Sequence, residues 1–129
     1  MKKISVILFL FPFLLAMQCE ADENSGFETT YYIENSTGID LFYLTASNNF
    51  INVPEDGIIT LASELNSETL PIPPSQSLVF NSIKLYKNEN ESFILVYAQN
   101  PIDDELWVFM EPTENRFEYK LEVTEMVLD

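Results

Sequence analysis

Arg116-Phe117-Glu118-Tyr119-Lys120-Leu121-Glu122-Val123-Thr124 is the stretch that decides the fold. Phe117, Tyr119, Leu121 and Val123 occupy every second position, and Glu118, Lys120, Glu122 and Thr124 fill the places between them. Side chains point to alternate faces along a strand, so this pattern predicts a β-strand over 116–124 with one face buried and one wet. A helix would scatter the four apolar residues around its circumference.

Turn formers punctuate the rest of the chain at short intervals. Glu111 to Asn115 reads as a turn, and before it a strand over Leu106–Met110 carries the only tryptophan, Trp107. Asn100 to Glu105 is an acidic loop. Ile83–Lys87 and Phe93–Ala98 form a hairpin around Asn88-Glu89-Asn90-Glu91. Leu70-Pro71-Ile72-Pro73-Pro74 cannot lie inside a sheet, because three prolines remove three ladder donors. A strand over Ile58–Ala62 precedes it, and Ser63–Thr69 reads as either a short helix or an irregular loop. Pro54–Gly57 and Ser47–Asn49 are turns on either side of a strand at Phe50–Val53. In the strand Ile39–Ala46, Ile39, Leu41 and Tyr43 alternate with Asp40, Phe42 and Leu44. Hydrophobes on both sides predict that it is central or covered on both faces. The first strand, Glu28–Glu34, sets Tyr31 and Ile33 against Tyr32 and Glu34, and Asn35–Gly38 turns the chain. About seven to nine short strands, spaced roughly 8 to 12 residues apart, predict an all-β domain. The expected architecture is an antiparallel β-sandwich, Ig-like or jelly-roll-like, with a small barrel as the alternative.

Lys2 and Lys3, the apolar run from Ile4 to Met17 and the polar boundary at Gln18-Cys19 have the order of a secretory leader. The run is about 14 residues long, short of the roughly 20 that a membrane-spanning helix needs. Two cleavage sites compete. In one, Leu15-Ala16-Met17-Gln18-Cys19 acts as a lipobox: residues 1–18 are a signal peptide, Cys19 is acylated and 19–27 form a lipid-anchored flexible tether. In the other, cleavage follows Ala21, which with Cys19 makes a small-x-small pattern, and the product is a secreted or periplasmic soluble domain. Residues 28–129 are then a single β-sandwich domain.

The sequence Cys19-Glu20-Ala21-Asp22-Glu23-Asn24 resembles the start of a Bacteroidetes-type surface lipoprotein. There a cysteine followed by a short acidic signal directs export across the outer membrane. The resemblance implies a lipid-anchored protein of the outer membrane or cell surface, and it covers these residues and the leader alone. On the residues themselves, Asp22 to Gly26 reads as a solvated tether in either case.

Removing the leader leaves Lys84, Lys87, Arg116 and Lys120 facing all 21 acidic residues of the chain. That surface repels phosphate backbones and anionic headgroups, which excludes nucleic acid as a partner and leaves the N-terminal lipid as the only contact with a membrane. Cys19 is the only cysteine, so no disulfide can reinforce the domain.

The chain contains no histidine. His-dependent nucleophile systems and most zinc, copper and iron sites are thereby excluded. Three glycines, Gly26, Gly38 and Gly57, cannot build a phosphate-cradling loop. The carboxylates fall mostly in turns and on wet strand faces, so no enzyme is expected, and no cofactor is implied. Asp103, Asp104 and Glu105 are the best candidate for Ca²⁺, as three contiguous oxygen donors without EF-hand spacing. Tyr32, Tyr86 and Trp107 are candidate ligand-binding aromatics, Trp107 doubling as a candidate core anchor. Two functions fit: a non-catalytic envelope module binding a glycan, a peptide or an envelope protein, or a structural accessory of an outer-membrane complex. An exposed aromatic platform favours the first and a long uncharged edge strand the second.

Overall fold

The computed structural model describes residues 27–66 and 70–129. The expected leader, Cys19 and the tether as far as Gly26 lie outside the described residues. Eight strands form two four-stranded sheets. They are β1 (Phe27–Ser36), β2 (Leu41–Leu44), β3 (Phe50–Val53), β4 (Ile58–Asn66), β5 (Ile83–Glu89), β6 (Ser92–Gln99), β7 (Trp107–Thr113) and β8 (Arg116–Thr124). The first sheet runs β4-β1-β8-β7 and the second β3-β2-β5-β6. The chain is a β-sandwich.

Alternation is what closes it. In β8, Phe117, Leu121 and Val123 are buried, and in β1 Thr29, Tyr31, Ile33 and Asn35 are buried on one face. The second sheet contributes Leu41, Tyr43, Val53, Ile83, Leu85 and Val96 to the same core. Five of the six strand pairings are antiparallel, but β1 and β8 run parallel through nine successive pairs, from Glu28↔Arg116 to Ser36↔Thr124. The first and last strands therefore lie side by side at the centre of one sheet.

Several boundaries differ from the sequence-based expectation. Phe27, assigned to the tether, opens β1, since its backbone pairs with Asn66. Where a short helix or loop was expected after Ala62, β4 continues to Asn66, held by pairing of Ser63, Glu64 and Leu65 with β1. β7 likewise continues to Thr113, and the turn shrinks to Glu114-Asn115, with Asn115 at φ 63°. At the β5–β6 hairpin, Asn90 and Glu91 both take positive φ (53° and 65°), the primed-turn geometry whose twist matches the flanking strands.

The proline-rich segment covers one end of the core instead of joining a sheet. Ile72 N–H donates to Thr29 Oγ1 at 3.2 Å, and Leu78 N–H donates to Glu64 Oε1 at 2.8 Å. Phe80 then packs edge-on against Tyr31, with ring centroids 5.0 Å apart, and stacks on Trp107 at 5.9 Å. The Tyr31 hydroxyl lies 2.8 Å from both Glu64 Oε2 and the Ile72 carbonyl oxygen, so one proton serves two acceptors.

Burial, followed by the hydrogen bond to Glu64 and its charge, raises the pKa of Tyr31 far above the ordinary tyrosine value. Burial also raises Tyr43, Tyr97 and Tyr119. The folded state thus favours the neutral phenol, while the unfolded chain ionises near pH 10. Stability is complete below about pH 10 and falls above it, by about 1.4 kcal/mol per pH unit from Tyr31. Urea unfolding between about pH 10 and pH 11.5 should show that loss, and Tyr31→Phe should reduce its slope by one proton. Identical slopes for the two proteins would dismiss this role for Tyr31.

Candidate functional site

The two solvent faces of the sandwich differ in kind. On the first sheet, the outward residues of the central strands are Glu28, Thr30, Tyr32 and Glu34 on β1 and Glu118, Lys120 and Glu122 on β8. They form a polar ladder: Arg116 pairs with Glu28, Lys120 Nζ lies 2.8 Å from Glu34 Oε2, and Thr30 and Ser63 hydroxyls are 2.9 Å apart. Tyr32 belongs to this ladder, its hydroxyl donating to Glu118 at 3.4 Å. Burial and then the Glu118 charge raise its pKa. Both cations of this face are paired within it, and Glu118 and Glu122 leave it acidic.

The second sheet carries rings instead. Register places Phe42 beside Asn52 and Tyr86, Leu44 beside Phe50, Tyr86 beside Leu95, and Asn88 beside Phe93. Phe50 comes from one edge strand and Phe93 from the other, yet their rings stack with centroids 4.0 Å apart and 12° between planes. They meet over the central strands, where Phe42 contacts Phe93 edge-on at 5.2 Å and Tyr86 contacts Phe50 edge-on at 5.2 Å. Phe42 and Tyr86 are half-buried beneath, and the outer surface is Phe50, Phe93 and Leu95, exposed by 39%, 41% and 47%. Aromatic pairs of this kind add about 0.5–1.5 kcal/mol beyond burial, so the cluster is a defined shape and not four independent side chains.

Both ends of this face are concave. At one end a depression of about 380 Å³ is lined by Ile39, Asp40, Phe42, Lys87, Asn88 and Glu89. Lys87 is ion-paired there with Glu89 at 2.9 Å. At the other end a polar cleft of about 170 Å³ lies between the β2–β3 turn and the segment entering β5, with Tyr43, Thr45, Asn48, Asn81, Ser82 and Lys84 among its walls.

The residues singled out from sequence do not form one site. Tyr86 belongs to the aromatic face, whereas Tyr32 lies on the opposite sheet. Trp107 is withdrawn from any ligand: it is 6% exposed, and its Nε1–H donates to Gln99 Oε1 at 3.2 Å. It is a core anchor, placed by the inward register of β7. Asp103 Oδ1 accepts from Glu105 N–H at 3.0 Å, and Asp104 accepts from the Ser75 N–H at 2.7 Å and from its hydroxyl at 2.5 Å. Asp103 thus caps its own turn and Asp104 fastens that turn to Ser75, and among the described residues no three acidic groups converge as a metal site. Cys19 lies outside the described residues.

Phe42, Phe50 and Phe93 were not anticipated. The available signal was the strand with hydrophobes on both faces, read as a sign of central position or double cover. β2 is central, but among the described residues its outer side is shielded only by rings from its own sheet. Comparison with protein-family models, with curated proteins and with solved structures finds no match for the chain.

Proposed function

We propose that the chain is a non-catalytic interaction module, lipid-anchored through Cys19 at the cell envelope, that docks a protein partner on the aromatic face of its second sheet. The observation that carries this reading is the contrast between the two outer faces. One is a charged, polar ladder whose two cations are paired with Glu28 and Glu34; the other gathers Phe42, Phe50, Tyr86 and Phe93 in half-exposed contact. Aromatic clusters of this kind supply the central anchors of protein interfaces.

Charge narrows the partner further. Asp40 and Glu89 line the depression at one end of the face, and the Glu55 N–H donates to Asp40 Oδ1 at 3.0 Å, on a chain of formal net charge −15 even with its leader lysines. The complementary surface is apolar at its centre and rich in Lys and Arg at its rim.

A photoreactive residue at Phe93 should give a discrete protein adduct in intact cells, and one at Glu122 on the opposite sheet should give none. Phe50→Ser, which removes the ring stacked on Phe93 and packed against Tyr86, should abolish the Phe93 adduct while circular dichroism shows the fold retained. Equal adducts from both faces would reject docking here.

The edges favour an assembly accessory less. β7 is uncharged from Trp107 to Met110, but Glu111, Pro112 and a register shift blunt the rest of it. β6 is uncharged throughout, yet the Asp129 N–H donates to Val96 O at 2.8 Å and occupies part of its open edge.

A further inference from the structure

We propose that the partner is held as an extended segment, which adds as a fifth strand to the second sheet along the open part of the β6 edge at Ser92–Leu95. The inference rests on the docking reading above and names the class of ligand: a short apolar run of a protein chain with Lys or Arg at both ends. β6 closes the order β3-β2-β5-β6, so the side of its backbone turned away from β5 meets no further strand among the described residues. An unpaired row of N–H and C=O groups is a template for another strand.

Side-chain exposure singles out the stretch. Ser92, Phe93, Ile94 and Leu95 are exposed in succession. Register puts Phe93 and Leu95 on the face of Asn88 and Tyr86, and Ile94 on the other face with Lys87. A strand with one covered face exposes alternate residues, so exposure of both faces at neighbouring positions marks an open flank. Ile94 is also outside the core cluster and the shell packed against it. The other three edges are less open. β3 is four residues long and Pro54 follows it directly, β4 keeps Ile59, Leu61 and Ala62 against the core, and β7 carries Glu111, Pro112 and a register shift. Short length, proline and irregular pairing are devices by which natural sheets blunt their edges. β6 has neither proline nor charge in its eight residues, and its one register shift, at Val96, lies beyond the open stretch.

The ends of the stretch set the charge of its ligand. At one end the edge already accepts backbone from elsewhere in the chain, since Asp129 N–H donates to Val96 O at 2.8 Å. At the other end Glu91 precedes Ser92 in the hairpin. Glu89 is paired with Lys87, but neither Glu91 nor Asp129 has an ion pair among the described residues. A segment that is apolar where it crosses Phe93, Ile94 and Leu95 and basic on either side is the complement. Its alternate side chains on the outer face continue the aromatic cluster, because Phe93 is the ring that Phe42 and Phe50 both meet.

The test places photoreactive residues singly at Ser92, Phe93, Ile94 and Leu95 of the full-length chain in intact cells and maps each adduct to a residue of the partner by mass spectrometry. All four should capture the same protein, and the captured position should advance in order with the label through one continuous run of about three to five residues flanked by Lys or Arg. Ile94→Lys introduces the kind of charge that guards natural edges and should reduce the Leu95 adduct about tenfold with the fold retained, while Ile94→Val leaves it in place. Ser92→Lys, at an exposed position, repeats the test should Ile94→Lys fail to fold. Captured positions scattered along the partner's sequence would mean a folded surface and overturn the proposal, as would a run without basic flanks, an adduct unaffected by the introduced lysine, or no capture from any of the four sites. Capture at Phe93 alone would overturn strand addition and leave docking on the aromatic face intact, whereas equal capture from Glu122 would remove the docking reading itself.

Discussion

Replacing Asn35 with alanine should destabilise the domain by about 3 kcal/mol, enough to remove a large share of the 5–15 kcal/mol that holds a typical domain together. Asn35 is fully buried at the end of β1, and each half of its amide is in use. Its Nδ2 donates to Ile39 O at 2.7 Å and to Val53 O at 2.9 Å, while Oδ1 accepts from Thr37 N–H at 3.1 Å and Thr37 Oγ1–H at 2.6 Å. One side chain thereby joins β1 of the first sheet to β3 of the second and to the segment that leads into β2. Truncation leaves Val53 O and the Thr37 donors without these partners and opens a cavity as well. Asn35→Asp should be no milder, because it keeps the acceptor but turns a second oxygen toward two carbonyls. Thermal unfolding should show a fall of about 15 °C for Asn35→Ala. A change below about 0.5 kcal/mol would mean that water replaces the side chain without cost.

Cys19→Ala should move the protein from the membrane fraction to the soluble fraction. Each buried methylene of an acyl chain contributes about 0.8 kcal/mol, and stable anchoring takes more than one chain. An unmodified domain with so acidic a surface has no other attraction to anionic headgroups. The competing cut after Ala21 predicts something different: wild type and variant are then equally soluble, and neither incorporates a palmitate analogue. Labelling of wild type together with loss of label and membrane association in Cys19→Ala supports the anchor. An unlabelled wild type ends the lipoprotein reading.

How much of this was legible depended on whether the information was local. The bounds of β8 and the inward set Tyr31 and Ile33 follow from alternation, and the bounds of β3 from the turn formers on either side of it. Partner choice was not local. β1 and β8 each alternate in the same way whichever direction a neighbour runs, so period alone could not announce their parallel pairing. The extension of β4 was hidden for a related reason. Ser63 and Glu64 read as loop residues, but Glu64 is polar because it accepts from Tyr31 and Leu78, one residue 33 positions away and the other 14. The aromatic face needed register as well: Phe42, Phe50, Tyr86 and Phe93 come from four strands, and no spacing within one segment relates them.

The parallel alignment of the first and last strands also has a mechanical consequence. The chain enters the domain at Phe27 at one end of β1 and completes β8 at Thr124 beside the other end. Force drawn between those points acts along the strands, so it loads nine backbone pairs at once in shear and cannot peel them apart one by one. The domain is thus most resistant to a load applied between its amino terminus and the end of β8, along the strand axis.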